Sequence, residues 1–352
     1  MKFTVSQEAR ELHARALVVD MHHDTLLVHK LTGYDMTRRH RNPLPFSPLI
    51  WNSDLPRLLD GGVDVVGFGL VLSPFVIQPE KRAAVIFEQV SYFNDVARQH
   101  PDRLRLALSP KDITDSPHQV RGVLGIEGAH ALAGRLEWVE MYYRMGVRYL
   151  TLSHFSANAA CCPAMGWGAN PKKGLTDFGR EMVAECNRLG LILDLAHVNK
   201  RGFMEAAKLT RAPFIVSHTG FKGTVNSARN IDDEQLRAVA DTQGVAGVIF
   251  APSWTGGSWF SRAGGIADAI IYAMDKFGAD YVGLGSDIDG FLWCLARGIR
   301  DVSDMPVITE LLLRKGKKPD DILKVLGGNF LRVFRAVAAA AKSTATPLSS
   351  RE

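Results

Sequence analysis

The stretch Val18-Val19-Asp20-Met21-His22-His23-Asp24 joins an apolar run to three consecutive ionisable residues. The apolar part predicts a buried strand, so the ionisable residues would lie at its carboxyl end. Because side chains alternate along a strand, we expect His22 and Asp24 to share a face with Asp20, while Met21 and His23 point to the other face. An imidazole and a carboxylate on one face can form half of a metal site. A single buried histidine held by an aspartate explains this stretch equally well.

Apolar runs of strand length recur along the chain and alternate with segments of helical periodicity. After the first strand, the predicted strands are Val63–Leu72, Arg121–Ile126, Val147–Leu152, Leu191–Ala196, Pro213–Ser217, Gly244–Phe250 and Tyr281–Ser286. Eight strands separated by helices are typical of the α/β class and predict a (β/α)8 TIM barrel.

The chain is predicted to form one domain over residues 1–352, since barrels of this length are common as single units. Residues 29–57 contain several prolines and clustered charges, which predict a long irregular loop, and loops of this length are usually functional. Residues 318–342 show helical spacing of apolar positions. They predict two helices that meet at Gly327-Gly328 and pack onto the barrel.

The composition is that of an ordinary soluble globular protein, with 46% hydrophobic and 22% charged residues. A net charge of only +5 makes nucleic-acid binding a poor explanation. The four cysteines show no C-x-x-C spacing, which favours reduced thiols. We find no signal-peptide core and no membrane span, so we expect a cytoplasmic enzyme with no membrane partner. The oligomeric state stays open, a homodimer included.

Six of the eight predicted strands end in ionisable residues. These residues are His22, Asp24, Glu127, His154, His197, His218 and Asp287. A (β/α)8 barrel places its active site at the carboxyl ends of its strands. Randomly scattered histidines and acids would fall mostly on helix surfaces, where charge is easily solvated. The placement therefore favours one constructed site over separate core histidines.

These side chains exceed what one four-coordinate ion needs, but they suit two ions that share a bridging carboxylate. Nitrogen and oxygen ligands suit Zn²⁺ and leave manganese, cobalt or iron open. Two ions about 3.5–4 Å apart would activate a shared water for hydrolysis. Asp287 is the candidate for moving the proton from this water to the leaving group.

The chain resembles the membrane (renal) dipeptidase family, peptidase family M19, which has binuclear zinc, amidohydrolase-like barrels. The resemblance covers nearly the whole chain. Its motifs are Val19-Asp20-Met21-His22-His23-Asp24, Gly125-Ile126-Glu127-Gly128, Leu150-Thr151-Leu152-Ser153-His154, Asp194-Leu195-Ala196-His197-Val198, Ser217-His218, Ser227-Ala228-Arg229-Asn230, Gly285-Ser286-Asp287-Ile288-Asp289-Gly290 and Gly328-Asn329-Phe330-Leu331-Arg332-Val333-Phe334. Each motif is weak alone, but their order is highly specific.

The resemblance implies a role for each site residue. His22 and Asp24 would bind the first metal, His197 and His218 the second, and Glu127 would bridge them. Asp287 matches the proton-transfer acid, His154 matches the histidine that binds or polarises the substrate amide, and Arg229 matches the arginine that holds the substrate carboxylate. Without the resemblance, Arg229 would pass for an ordinary loop arginine.

The sequence departs from the family pattern around the pocket. Met21 and His23 replace the usual glycine and asparagine beside the first histidine; we expect His23 to face away from the metals, although it could compete as a ligand. The segment Phe250–Trp254 lacks the family's pocket tyrosine, and Ala160–Pro163 replaces a more polar and aromatic run. These changes lie around the pocket and leave the metal ligands in place, so they affect the expected substrate more than the expected reaction class.

We therefore expect a metal-dependent dipeptidase in which a metal-bridging hydroxide attacks the peptide carbonyl, with L-Xaa-D-Xaa dipeptides as the preferred substrates. One alternative is a binuclear hydrolase of another small amide or ester, such as a lactone, a β-lactam or an N-acyl amino acid, because a fold does not fix a function. The other is a non-enzymatic barrel that keeps its metals for stability or binding.

Overall fold

Parallel strands form the centre of the molecule. The computed structural model describes residues 3–41, 51–72, 78–115, 119–291 and 294–344. The strands in these ranges are β1 Val19–His23, β2 Val65–Val71, β3 Leu104–Leu106, β4 Val120–Glu127, β5 Val147–Thr151, β6 Ile192–Asp194, β7 Ile215–Thr219, β8 Val245–Val248 and β9 Val282–Leu284. They are ordered β2-β1-β9-β8-β7-β6-β5-β4, and a β2–β4 pairing closes the ring. The predicted (β/α)8 barrel is confirmed. The short β3 was not predicted, and it lies outside the ring on β4.

Helices follow most of the barrel strands. They are α1 Gln7–Arg15, α2 Thr25–Thr32, α3 Leu55–Asp60, α4 Pro79–Gln99, α5 Pro110–Thr114, α6 Glu137–Arg144, α7 Asp177–Leu189, α8 Lys200–Leu209, α9 Asp233–Asp241, α10 Pro252–Thr255, α11 Gly264–Phe277, α12 Pro306–Arg314, α13 Pro319–Leu323 and α14 Asn329–Thr344. Short 3₁₀ turns occupy Ala129–Leu132, Ala279–Tyr281 and Val302–Asp304. The boundaries follow local chemistry: in α7, the Thr176 side chain accepts a hydrogen bond from Gly179 N, and Gly190 ends the helix in a left-handed conformation.

The amino-terminal end of the barrel is closed by apolar packing. Buried side chains from the first residues of the strands, including Val19, Val65 and Ile215, form one cluster with Phe330 and Phe334 of α14. Because this apolar cluster fills the amino-terminal end of the barrel, a polar site can form only at the carboxyl ends of the strands, where (β/α)8 barrels have their active sites.

The loop predicted over residues 29–57 is shorter than expected. Helix α2 continues to Thr32, and α3 already begins at Leu55. Residues 42–50, which contain three of the prolines, lie outside the described ranges. The described end of the loop is buried and held by tertiary contacts: Asn52 N donates to Asp289 Oδ1 at 2.8 Å, and Asn52 O accepts from Val302 N at 3.1 Å.

Two helices, α13 and α14, meet at the glycine pair near the carboxyl terminus, as predicted. Gly327 and Gly328 lie in the π-helical turn between them, Lys324–Gly328, which leads directly into α14. A Cβ on Gly327 would lie 2.3 Å from Leu17 O. The glycine therefore allows the close approach of this turn to the segment just before β1.

All four cysteines are buried free thiols, as the sequence predicted. Over the described ranges, the helices are too short or too polar to cross a membrane.

His13 joins three helical segments in the interior and provides a test by pH. Its Nδ1 lies 2.8 Å from Thr309 Oγ1, and its Nε2 lies 2.9 Å from Gly61 O. Burial lowers the pKa of His13 below its ordinary value, and the hydrogen bond to the Gly61 carbonyl offsets only part of this shift. The unfolded chain therefore binds the proton more tightly than the folded chain does. Stability is retained above the ordinary histidine pKa of about 6.5 and is lost as the pH falls from there towards the folded-state pKa.

We expect the free energy of unfolding of His13→Gln to depend less steeply on pH in this acidic window than that of the wild type. The difference would be at most about 1.4 kcal/mol per pH unit, which corresponds to one proton. Urea unfolding over a pH series measures it. The other histidines affect the pH dependence of both proteins equally. An identical pH dependence of the free energy of unfolding in wild type and variant would therefore show that His13 does not contribute to it.

Candidate functional site

The predicted site residues all lie at the carboxyl end of the barrel. His22, Glu127 and His218 lie within β1, β4 and β7, whereas the others follow a strand. Asp24 follows β1, His154 follows β5, His197 follows β6, Arg229 lies between β7 and α9, and Asp287 follows β9. The structure thus brings residues from six barrel strands and their loops to one place.

Glu127 is the centre of the site because four imidazoles face its carboxylate. Its Oε1 lies 2.9 Å from His197 Nε2, 3.4 Å from His218 Nε2 and 3.6 Å from His22 Nε2. Its Oε2 lies 3.5 Å from His154 Nε2. The carboxylate is almost fully buried, so these contacts form away from bulk water.

A second cluster adjoins Glu127 through His22. His22 Nε2 lies 3.4 Å from Asp24 Oδ1, and these two side chains and Asp287 offer ligand atoms that all lie within 4.8 Å of one another. Backbone bonds hold the two chain segments together, since Asp287 N donates to His22 O at 3.1 Å. On the neighbouring strand, a Cβ on Gly69 would lie 2.6 Å from Asp24 Oδ1, so the glycine leaves room for this cluster.

His23 is turned towards Asp20 and Ser53. Its Nε2 lies 2.8 Å from Asp20 Oδ2, its Nδ1 lies 3.2 Å from Ser53 Oγ, and it joins none of the candidate metal groups among the described residues. The expectation that Asp20 shares a face with His22 and Asp24, opposite His23, is therefore wrong. The pairing register of β1 shifts between Asp20 and His23, and such an irregularity breaks strict alternation. Asp20 instead accepts from Ser286 N at 2.7 Å.

Two polar residues to which the sequence assigned no role, Tyr149 and Ser217, contact the site histidines, and a third, Asp194, contacts Ser217. The Tyr149 hydroxyl lies 3.1 Å from His22 Nδ1, and Ser217 Oγ lies 2.9 Å from His218 Nδ1. Asp194 accepts the Ser217 hydroxyl. The available signal was a polar or phenolic side chain inside an otherwise apolar barrel strand. Such residues are usually buried with a specific hydrogen-bond partner.

Arg229 lies beside this cluster and is almost fully buried. Its Nη2 donates to His218 O at 2.9 Å, whereas its Nε has no hydrogen-bond partner among the described residues. The guanidinium carbon is 5.8 Å from the centre of the Trp254 ring. Trp254 thus provides an aromatic neighbour in the segment that lacks a tyrosine. Phe155 provides another, because its ring centre is 4.8 Å from that of His197.

The electrostatics of the site differ from one carboxylate to the next. Burial acts to raise the pKa of Glu127, but the imidazoles of His154 and His22 outweigh it and hold the pKa well below its ordinary value. Burial and the neighbouring Asp24 carboxylate raise the pKa of Asp287 well above its ordinary value. Two nearby acids with oppositely displaced pKa values are typical of a functional site.

Two site residues adopt backbone conformations that side chains disfavour. The φ angles of His197 and Asp287 are 63° and 59°, in the left-handed region. Such conformations cost of order 1 kcal/mol and occur preferentially where a side chain must be aimed at a site.

The donor atoms fit divalent cations. His22 Nε2, Asp24 Oδ1 and Glu127 Oε2 are buried and have no hydrogen-bond partner among the described residues, which costs about 1–3 kcal/mol for each such atom. His197 Nε2 and His218 Nε2 also lie only 2.8 Å apart. Buried nitrogen and oxygen donors that converge in this way are suited to zinc and similar ions.

Comparisons with known proteins relate this chain to one family. Residues 6–348 match the family model described as membrane dipeptidase (peptidase family M19). Dipeptidase aclJ of Aspergillus oryzae is 33% identical over 272 residues, which cover 74% of this chain and 63% of that protein. Dipeptidase tcpJ of Claviceps purpurea is 29% identical over 310 residues, which cover 85% of this chain and 72% of that protein.

A solved structure shows the same fold. It is a metallo peptidase from Rhodobacter sphaeroides liganded with a phosphinate mimic of the dipeptide L-Ala-D-Ala. The TM-score is 0.83, the sequence identity is 24%, and the match covers 92% of this chain and 99% of that one.

Proposed function

The chain belongs to the membrane dipeptidase family, peptidase family M19, and from that premise we propose that it hydrolyses dipeptides with two divalent ions, most simply Zn²⁺, at the Glu127 site. The family is one of metal-dependent hydrolases, and relatives across most of the chain are named dipeptidases. The observation that carries the proposal is the set of four imidazoles around one buried carboxylate, with Asp287 and Arg229 beside it.

We assign the side chains to two ion positions. His22 and Asp24, which lie side by side, would hold one ion, and His197 and His218, which also lie side by side, would hold the other. Glu127 contacts three of these four residues and would reach both ions. Bound divalent ions would supply an activated water at neutral pH and polarise the carbonyl group of the substrate.

Three further residues would act on the substrate. His154 is partly exposed and lies 3.5 Å from Glu127, so it can donate to the carbonyl oxygen as negative charge develops there. Asp287, buried among the other charged groups, would carry the proton to the departing amine. Arg229 would hold the terminal carboxylate of the dipeptide, for which its unpartnered Nε is an available donor.

For the stereochemistry we propose a preference for L-Xaa-D-Xaa dipeptides. This preference is supported by the motifs around His22, Glu127 and Asp287, which resemble those of the membrane dipeptidase family.

The assignment of Arg229 is tested with a pair of substrates that differ only at the carboxyl terminus. Arg229→Ala should raise KM for a dipeptide by about 10- to 100-fold, because a charged hydrogen-bonding pair contributes about 1.5–3 kcal/mol. The corresponding dipeptide carboxamide should show no such change. Arg229→Lys keeps the charge but not the planar fork, and should give an intermediate KM.

Metal content is measured for each variant, because Arg229 also contacts the backbone of His218. An equal rise in KM for the acid and the carboxamide, with metal content unchanged, would remove Arg229 from the role of carboxylate anchor.

A further inference from the structure

A chain of three buried side chains leads from the barrel wall to one of the proposed metal ligands. Ser217 Oγ donates to Asp194 Oδ2 at 2.7 Å and lies 2.9 Å from His218 Nδ1. All three residues are 0% exposed, so water does not compete for these contacts.

The hydrogen-bond partners of Asp194 fix the direction of this chain. Its Oδ2 accepts from the hydroxyls of Thr151 and Ser217, and its Oδ1 accepts from the backbone N–H groups of Ala196 and Ser217. Four donors thus occupy the four acceptor positions of one carboxylate. The hydroxyl hydrogen of Ser217 is committed to Asp194, so Ser217 Oγ can only accept at its contact with His218. A neutral His218 must therefore carry its hydrogen on Nδ1.

We propose that Asp194 and Ser217 are positioning residues that hold His218 in the Nδ1–H tautomer and so leave Nε2 free to bind a metal ion. The proposal rests on the proposed function, in which His218 is a ligand. A hydrogen on Nε2 would lie between this nitrogen and His197 Nε2, 2.8 Å away, where it would exclude a cation. The second ring nitrogen of a metal-binding histidine commonly has such a partner, and removing that partner weakens metal binding about 10- to 100-fold.

The contact between His22, another proposed metal ligand, and Tyr149 does not fix the tautomer of His22. His22 Nδ1 lies 3.1 Å from the Tyr149 hydroxyl, but a phenol can donate or accept. The fixed direction at His218 comes from the carboxylate beyond the serine.

Thr151 provides a matched control. Its hydroxyl donates at 2.6 Å to the same Asp194 oxygen as Ser217 does, and it is equally buried. Ser217→Ala and Thr151→Val therefore each remove one hydroxyl–carboxylate bond, but only Ser217→Ala removes the partner of His218. A purely structural role of Asp194 would make the two variants alike.

The first test measures zinc affinity of metal-free protein by competition with a chelator, alongside thermal unfolding of the same samples. Ser217→Ala should weaken the binding of the zinc ion at the His197–His218 position by about 10- to 100-fold, whereas Thr151→Val should change it less than about 3-fold at a similar loss of thermal stability. Equal affinities for the two variants would overturn the proposal.

The second test reads the tautomer directly from the ring ¹⁵N shifts of His218 in metal-free wild-type protein, assigned with His218→Gln. We expect a protonated Nδ1 and an unprotonated Nε2; the reverse pattern would overturn the proposal. This measurement requires no bound metal and no substrate. If the protein bound no zinc, the proposed function would fail. The measured tautomer of His218 would still show whether Asp194 and Ser217 orient its ring.

Discussion

Glu127→Gln should abolish dipeptide hydrolysis and metal binding together, with kcat/KM lower by at least about 10³-fold. The carboxylate of Glu127 faces four imidazoles at 2.9–3.6 Å and is buried. A glutamine of the same size has one acceptor oxygen instead of two and no negative charge. Its NH₂ group would also point at imidazole nitrogens that are needed as ligands. No other described carboxylate faces as many of the site imidazoles, so no neighbour can replace it.

Steady-state kinetics and metal quantification of the same preparation measure this effect. Glu137→Gln is the control, because Glu137 is an exposed residue of α6 that pairs with Arg135. The control should keep wild-type activity and metal content. Wild-type activity in Glu127→Gln would show that the Glu127 carboxylate is not needed for metal binding or hydrolysis.

Asp287→Asn should lower kcat by about 10²- to 10⁴-fold and leave the metal content unchanged, because loss of a general acid–base removes a contribution of this size. The position of the side chain is set by the backbone: Asp287 N donates to His22 O, and the preceding Ser286 N donates to Asp20 Oδ1. An asparagine would fit the same space but could not carry the proton.

Asp289→Asn is the matched control for this variant. Asp289 is also buried and lies two residues further on, but it holds the loop at Asn52. Its replacement should lower stability and leave kcat near the wild-type value. If Asp287→Asn instead lost its metal in proportion to its activity, Asp287 would be a ligand and not the proton carrier.

The barrel and the membership of the site were predictable because both depend on local pattern. Each barrel strand is a separate apolar run, and parallel strands place their carboxyl ends on one side. Residues as distant as His22 and Asp287 could therefore be assigned to one site from the ends of their strands alone. A single domain and a cytoplasmic location stay predictions, and the oligomeric state stays open.

The features that could not be predicted from the sequence depend on contacts between distant segments or on irregular backbone. The three residues of β3 are too few to give a periodic pattern. They pair with the first residues of β4, outside the ring. The shift in β1 that brings His23 to Asp20 is set by pairing with β2, which the stretch itself does not encode. The link from Asp194 through Ser217 to His218 joins two strands, so no local periodicity marks it.

The most direct test of the proposed dipeptidase activity is a panel of dipeptides of varied chirality, assayed with protein whose metal content has been quantified. We expect close to two divalent ions per chain and hydrolysis of dipeptides with a free carboxyl terminus, with L-Ala-D-Ala cleaved faster than L-Ala-L-Ala. Fully metal-loaded protein that cleaves no dipeptide of the panel, but does cleave a lactone, a β-lactam or an N-acyl amino acid, would contradict the proposal.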